Sequence, residues 1–366
     1  MKIVSTSYVN TPEYNDPEKW LDRIGFHIVV LEQLAKWHEI ISIEQINYEG
    51  DLQQNAVHYH FYNSKRKKLL FPFLLHRYIK EMKPDIVIVN GLIFPLQLIQ
   101  LNLMVGNKIK IIALYHAEKP FKGIKAYLQR LADRFINAYL FSSHDAGMEW
   151  VKRGIIKDSK KIAEVMEASS SFHTMDRNDA VPLTKIKGHP VYLWVGRLNA
   201  NKDPLTVVKA FIQFVKTHRE ARLYMIYQTE DLLGKIKELI SSSDLKNEAI
   251  TLVGKIEHSD LQAWYNSADF IISGSHYEGM GVAVCEAMSC GCIPILTNIN
   301  SFRTMTGNGK CGWLFEKENV DDLKTILSKT IDSNLSIEKE KVLQQYKITL
   351  SPEAIAERIN NVIQTL

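Results

Sequence analysis

The stretch Asp269–Asn298, DFIISGSHYEGMGVAVCEAMSCGCIPILTN, decides the fold. Two short apolar runs, DFIISG and IPILTN, flank a polar, glycine-bearing loop and a segment of helical length, 281–290. Uniformly apolar strands joined by a helix make a parallel unit buried on both faces. Upstream, VYLWVG, ARLYMIY and AITLVG read as further strands, and 203–218, 230–241, 258–267 and 319–331 as helices. The first half repeats the alternation. KIVSTS, DIVIVN, KIIALY and AYLFSS are its strands, and 18–39, 68–82, 94–104, 123–136 and 145–153 its helices.

Between the two halves, residues 168–190 are polar and aperiodic with two prolines, the composition of an interdomain linker. The final SPEAIAERINNVIQTL starts as a helix with Ser-Pro-Glu and continues amphipathic. The expected division is therefore 1–175, 176–348 and a closing helix, 349–366, that crosses back to the first domain. A chain of 366 residues exceeds what one core usually spans, which also favours two domains. The fold class is α/β, with two Rossmann-like αβα domains facing a cleft.

Net charge is only +4, which speaks against a dedicated nucleic-acid binder. Residues 1–175 hold 23 Lys and Arg against 18 Asp and Glu, the remainder 22 against 23, so an anionic surface would meet the first half. Two basic stretches lie there, Lys65–Lys68 before LLFPFLL and Lys119 to Arg134 along a helix. They read as solvated faces, with peripheral contact to an anionic membrane as the alternative. Ile86–Asn107 carries no charge, but Asn90, Gly91, Pro95, Gln97, Gln100 and Asn102 interrupt it, so a strand, a loop and a packed helix fit better than a membrane span. Cys285, Cys290, Cys292 and Cys311 lack zinc spacing and read as reduced, buried thiols. The chain opens as a strand rather than a signal peptide. Both features point to the cytoplasm, with the inner membrane face as the peripheral alternative. His58-x-His60 reads as an exposed strand face, and no metal site is expected.

Ligands of parallel sheets bind at the carboxyl ends of strands. Gly196 closes VYLWVG, and Arg197 and Lys202 follow on the loop before a helix started by Asp203-Pro204. Two cations at a helix start suit a diphosphate, while a solvated basic loop reads equally well from these residues alone. In HYEGMGVAVCEAMSCG, Gly279, Met280, Gly281 and Val282 bring free backbone N–H groups of a helix start to an anion. Glu286, about one and a half turns into that helix, suits a ribose diol, and Glu278, in the loop, suits hydroxyls of a transferred sugar. The alternative is a surface Glu and a capping Glu.

Glu278-x7-Glu286 within EGMGVAVCEAMSCGCIPILT, preceded by GRLNANKDP, resembles the retaining glycosyltransferases of family 4, which have the GT-B fold. The likeness runs from Val191 to Leu323. It implies that Arg197 and Lys202 neutralise a leaving diphosphate, that Glu286 binds ribose and that Glu278 contacts the donor sugar. Gly254-Lys255-Ile256 would face the base. KPDIVIVNG resembles the family's central strand, and YHAEKP places His116 where the family has a histidine facing the sugar. The implied reaction moves a hexose-type sugar from a UDP- or GDP-type donor to a glycan or lipid-linked acceptor, as in polysaccharide biosynthesis, without metal or other cofactor. By the same resemblance the first domain is the acceptor side and the second holds the nucleotide sugar. The turn after the first strand, TSYVNTPEYNDPEKWLDRIG, lacks the family's glycines, and NINSFRTMTGNG departs from its pattern after Thr297. These departures keep two alternatives open: an inactive nucleotide-sugar-binding partner subunit, and an epimerase or hydrolase of nucleotide sugars.

Overall fold

KIVSTS forms β1 (Lys2–Ser7) in the computed structural model of the chain, which describes residues 1–63, 70–243 and 249–366. The basic run Lys65–Lys68 and the start of the expected helix 68–82 lie outside the described residues. The chain divides into two compact units, residues 1–169 with 352–366, and residues 170–351.

In the N-terminal unit β1 leads through α1 (Pro17–Arg23) and α2 (Gly25–Leu34) to β2 (Glu39–Glu44). The single helix expected over 18–39 is thus two helices and the start of a strand. α1 ends at Ile24, α2 restarts at Gly25, and EIISIE pairs along β1 with Val4 opposite Ile41. A hairpin of β3 (Gly50–Gln54) and β4 (Val57–Phe61) follows. Next come α3 (Phe73–Glu81), β5 (Ile86–Asn90), α4 (Pro95–Val105), β6 (Lys110–Leu114), α5 (Gly123–Ala132), β7 (Ala138–Phe141), α6 (His144–Lys152) and β8 (Ile162–Glu164). Strand order is β3-β4-β2-β1-β5-β6-β7-β8, parallel except for β3. Right-handed crossovers put α3 to α6 on one face and α1 and α2 on the other. Ile86–Asn107 is β5, a loop and α4, as read from its interruptions.

Buried Val4, Val87, Val89, Ile111 and Phe141 form the core under α3 to α6. Within it His76 of α3 is fully buried, its Nε2 2.8 Å from the Tyr8 hydroxyl. Burial lowers the His76 pKa from 6.5 to about 4. The folded state then binds this proton more weakly than the unfolded chain. Its contribution is whole above the unfolded pKa and is lost as pH falls through 6.5 toward 4. The full loss would be about 3 kcal/mol. Urea unfolding at pH 7 and pH 5 is expected to show this acid destabilisation, and His76→Gln, which takes no proton, is expected to lessen it, the rest coming from His27, whose pKa burial also lowers to about 4. An unchanged slope would refute the assignment.

The C-terminal unit starts with α7 (Arg177–Thr184), inside the stretch expected as a linker. That stretch folds because α7 packs on the helix Leu261–Ser267, and Arg177 reaches Asp269. The order continues with β9 (Val191–Gly196), α8 (Pro204–Val215), β10 (Arg222–Tyr227), α9 (Leu233–Ser241), β11 (Ile250–Gly254), α10 (Leu261–Ser267), β12 (Phe270–Ser273), α11 (Val282–Ser289) and β13 (Ile293–Thr297). It ends with α12 (Asn300–Met305), β14 (Trp313–Phe315), α13 (Val320–Ile331) and α14 (Leu335–Thr349). All six strands are parallel in the order β11-β10-β9-β12-β13-β14. Chain direction across the sheet reverses between β9 and β12. The same crossover rule puts α8 and α9 on one face and α10 and α11 on the other.

Asp269, buried at the amino end of β12, ties this unit together. It accepts from the Val191 N–H at 2.8 Å and from Arg177 Nη1 at 2.8 Å, with Lys339 Nζ at 3.9 Å. After α14, α15 (Pro352–Gln364) belongs to the N-terminal unit. It packs on α2, and Asn360 Oδ1 lies 2.8 Å from His38 Nε2.

Candidate functional site

The reversal of strand order places the loops after β9 and β12 side by side, the position where open α/β sheets bind ligands. Several bonds fasten these two loops. The His276 N–H donates to the Asn201 carbonyl at 2.8 Å, and Asn201 Nδ2 donates to the Tyr277 carbonyl at 3.0 Å. His276 Nε2 lies 3.3 Å from Asp203 Oδ2. Gly274 permits the approach, because a Cβ there would sit 2.9 Å from the Asp203 carbonyl oxygen. Asp203 also caps α8, accepting from the Thr206 N–H at 3.2 Å.

Lys202 Nζ and Glu278 Oε1 meet at 2.5 Å across the two loops. Both are largely sheltered, with 26% and 13% of their side chains exposed. Arg197 is exposed just after Gly196, and its side chain has no ion-pair partner among the described residues. The second loop ends at Gly281, which caps α11 at φ +88°, a conformation open to glycine. A Cβ there would also come within 2.8 Å of the Phe302 ring. Gly279 and Met280 are buried and Val282 opens α11, so the first N–H groups of this helix border the loop that carries Glu278.

Glu286 is buried in α11. Its Oε1 lies 2.7 Å from His258 Nε2, and its Oε2 accepts from the Tyr265 hydroxyl at 3.1 Å. Burial, and then the Glu286 charge, push the Tyr265 pKa well above the ordinary range, so the phenol stays a donor. A carboxylate accepts about four hydrogen bonds, so two of its acceptor positions remain among the described residues. His258 also packs on Phe172, with ring centroids 5.0 Å apart. Gly254-Lys255-Ile256, at the end of β11, lies a few residues before His258. The structure thus joins that turn to Glu286 through His258, a residue the sequence reading did not single out, as it missed Tyr265, Asp203 as partner of His276, and Asn201.

His116 lies in the N-terminal unit, at the carboxyl end of β6. Its Nδ1 meets Glu167 Oε2 at 2.5 Å. Glu118 holds the loop by accepting from the N–H groups of His116, at 2.6 Å, and Leu92, at 2.8 Å. Burial alone would lower the His116 pKa, but the Glu167 hydrogen bond and the charges of Glu167 and Glu118 outweigh it and raise the pKa above 6.5. The pair adds stability below the unfolded pKa and loses it as pH rises through the folded one. Glu167→Gln is expected to bring the His116 pKa down, because the hydrogen bond to a carboxylate and its charge are lost while burial still acts. Titration of the imidazole by NMR checks this, and an unchanged pKa would contradict it.

His58 Nε2 and His60 Nδ1 both lie 2.9 Å from Asp51 Oδ1 on the neighbouring strand, one face of β4 as the alternation implied. Among the described residues no group of three or more His, Cys, Asp or Glu is placed to hold a metal ion. The four cysteines are free and buried, and burial raises Cys290 to about 12. Among the described residues no helix is long and apolar enough to cross a membrane.

Residues 176–350 match the family model described as glycosyl transferases group 1. The chain carries a group 1 glycosyl transferase domain. Within it lie Arg197, Lys202, Glu278 and Glu286. The chain is similar to the poly(glycerol-phosphate) alpha-glucosyltransferase of Bacillus subtilis, with 34% identity over 131 residues, 35% of this chain and 19% of that protein. It is also similar to the GDP-mannose:cellobiosyl-diphosphopolyprenol alpha-mannosyltransferase of Xanthomonas oryzae, with 26% identity over 130 residues, 35% and 34% of the two chains. The chain therefore spans between about a fifth and a third of these relatives' lengths. Two solved structures share the architecture over the whole chain. Anabaena Alr3699/HepE in complex with UDP has a TM-score of 0.77 at 14% identity and covers 100% of both chains. A glycosyltransferase from Rickettsia africae has a TM-score of 0.74 at 18% identity and covers 100% of this chain and 98% of that one. The group 1 glycosyl transferase domain and the N-terminal unit together have the GT-B fold expected from the sequence.

Proposed function

We propose that the chain transfers a hexose-type sugar, with retention, from a UDP- or GDP-sugar to a glycan or lipid-linked acceptor, without a metal ion. The observation that carries this reading is the Lys202–Glu278 pair bridging the two loops at the strand-order reversal, with Arg197 on the first of these loops and without an ion-pair partner among the described residues.

Breaking the glycosidic bond builds negative charge on the leaving diphosphate. Fixed cations stabilise that charge more in the transition state than in the ground state. Arg197 and Lys202 supply them, and the N–H groups at Gly281 and Val282 add partial positive charge. Glu278 takes two tasks: it orients Lys202 and accepts from sugar hydroxyls. Glu286, held by His258 and Tyr265, keeps acceptor positions for a ribose diol. Gly254, Lys255 and Ile256 take the base. His116, oriented by Glu167, is assigned to the sugar. Retention would follow from attack of the acceptor hydroxyl on the face the diphosphate leaves, with the leaving phosphate taking the proton. The similarity to an alpha-glucosyltransferase and an alpha-mannosyltransferase supports this stereochemistry, and UDP in a structural neighbour supports the donor class.

The test is thermal melting in EDTA with UDP, GDP, UDP-glucose and GDP-mannose, on the wild type and on Glu286→Ala. A ligand at 100 times its Kd stabilises by about 2.7 kcal/mol. Stabilisation by one base, lost in Glu286→Ala, is expected. A folded protein that no nucleotide shifts would sink the donor assignment.

A further inference from the structure

Asp203 holds a backbone conformation that its own residue type does not favour. It lies at φ 40° and ψ 58°, left-handed, although it is no glycine, precedes Pro204 and caps α8. Helix-capping residues and residues before proline are ordinarily extended, and a left-handed turn suits glycine. Such a conformation lasts where its surroundings over-determine it, and it concentrates at functional sites. Both oxygens of the Asp203 carboxylate are used. Oδ1 accepts from the Thr206 N–H at 3.2 Å, and Oδ2 lies 3.3 Å from His276 Nε2. A carboxylate only accepts, so Nε2 carries the proton of that bond.

The bond to Thr206 stays within the first turn of α8. The bond to His276 spans 73 residues and reaches the loop that carries Glu278. Lys202 sits directly before the strained residue. On its other side Asn201 is fixed to the same loop: its carbonyl accepts from the His276 N–H, and its Nδ2 donates to the Tyr277 carbonyl. The Lys202 backbone is thereby tied on both sides, and the φ of Asp203 sets its angle to α8. His276 serves both ties, one by its N–H and one by its ring. Glu318, on the loop after β14, lies 3.9 Å from the same Nε2, too far for a hydrogen bond, and its side chain is 74% exposed. Asp203, with 12% of its side chain exposed, is therefore the partner that counts.

We propose that His276 is a positioning residue for the transfer: its Nε2–H holds Asp203 in the left-handed turn and so aims Lys202 at the leaving diphosphate. The inference rests on the donor reading given above.

Steady-state kinetics of His276→Ala and His276→Gln test it, with UDP-glucose or GDP-mannose, whichever the wild type consumes. Glutamine keeps an N–H donor at similar reach. Lys202 counts most once charge has built on the diphosphate. His276→Ala is therefore expected to lower kcat about tenfold and to change KM for the donor less than about threefold. His276→Gln is expected to recover most of that loss. The loss should vanish when Lys202 is already replaced by Ala, since a residue that acts through Lys202 then has nothing left to aim. Hydrogen exchange of the Thr206 amide, followed by NMR without nucleotide, is expected to quicken in His276→Ala and to return toward wild type in His276→Gln. Additive losses from Lys202→Ala and His276→Ala, glutamine no better than alanine, or an active wild type matched by His276→Ala in kcat, KM and Thr206 exchange would each overturn this inference alone. A folded wild type that no nucleotide stabilises would sink the donor reading and take this inference with it.

Discussion

Lys202→Ala is expected to lower kcat/KM for the sugar donor by about 10²–10³-fold, the cost of removing one preorganised charge from a developing oxyanion. Two effects add. The cation is lost, and Glu278, only 13% exposed at its side chain, is left beside the diphosphate without its counter-ion. Lys202→Ala is therefore expected to lose more than Arg197→Ala. Arg197 is exposed and has no ion-pair partner among the described residues, so its removal should leave stability within about 0.5 kcal/mol of wild type. A double substitution of Lys202 and Glu278 to Ala should recover part of the affinity for the nucleoside diphosphate lost in Lys202→Ala, but not the contacts of Glu278 to the sugar. Steady-state kinetics with donor saturation curves separate these cases. Equal, small effects of all three variants would mean that the loops do not hold the leaving group.

The largest loss of stability is expected at Asp269. Its carboxylate is buried and holds the first N–H of β9, the guanidinium of Arg177 on α7 and, at longer range, Lys339 of α14. Asp269→Ala removes a buried partner of a backbone donor and of a cation together, and about 3 kcal/mol or more should be lost. Asp269→Asn keeps the acceptor for Val191 but not the charge, and should lose less. Urea unfolding followed by near-ultraviolet circular dichroism checks the order. Asp269 sits at the amino end of the sheet, away from the loops of the candidate site, so nucleotide binding by the folded fraction should persist.

The parts of the fold that showed in the sequence are those with an uninterrupted local pattern. β5, β9, β12 and β13 are apolar runs between turn residues, and their order implied a parallel sheet. β2 escaped because Glu39, Ser42 and Glu44 break its apolar run and it follows closely on α2. β8 and β14 have three residues each, too few for a period. α14 buries only Val342 and Thr349 and leaves Ile337 and Ile348 exposed, so no apolar stripe marked it. α7 carries Pro182 inside it, which read as linker. Site residues followed the same rule. Glu278, Gly281 and Glu286 share one continuous segment, and their spacing is visible. Lys202 meets Glu278 across 76 residues, and Glu286 meets His258 across 28. Such pairings are products of strand order, and no local period encodes them.

The most direct measurement follows the slow hydrolysis of UDP-glucose or GDP-mannose by the wild type in EDTA, with water standing in for the acceptor. Proton NMR identifies the anomer of the sugar that appears first. The account predicts release of one nucleoside diphosphate together with the α-anomer, and loss of both in Lys202→Ala. Release of the β-anomer first, or equal turnover by the wild type and Lys202→Ala, would contradict it.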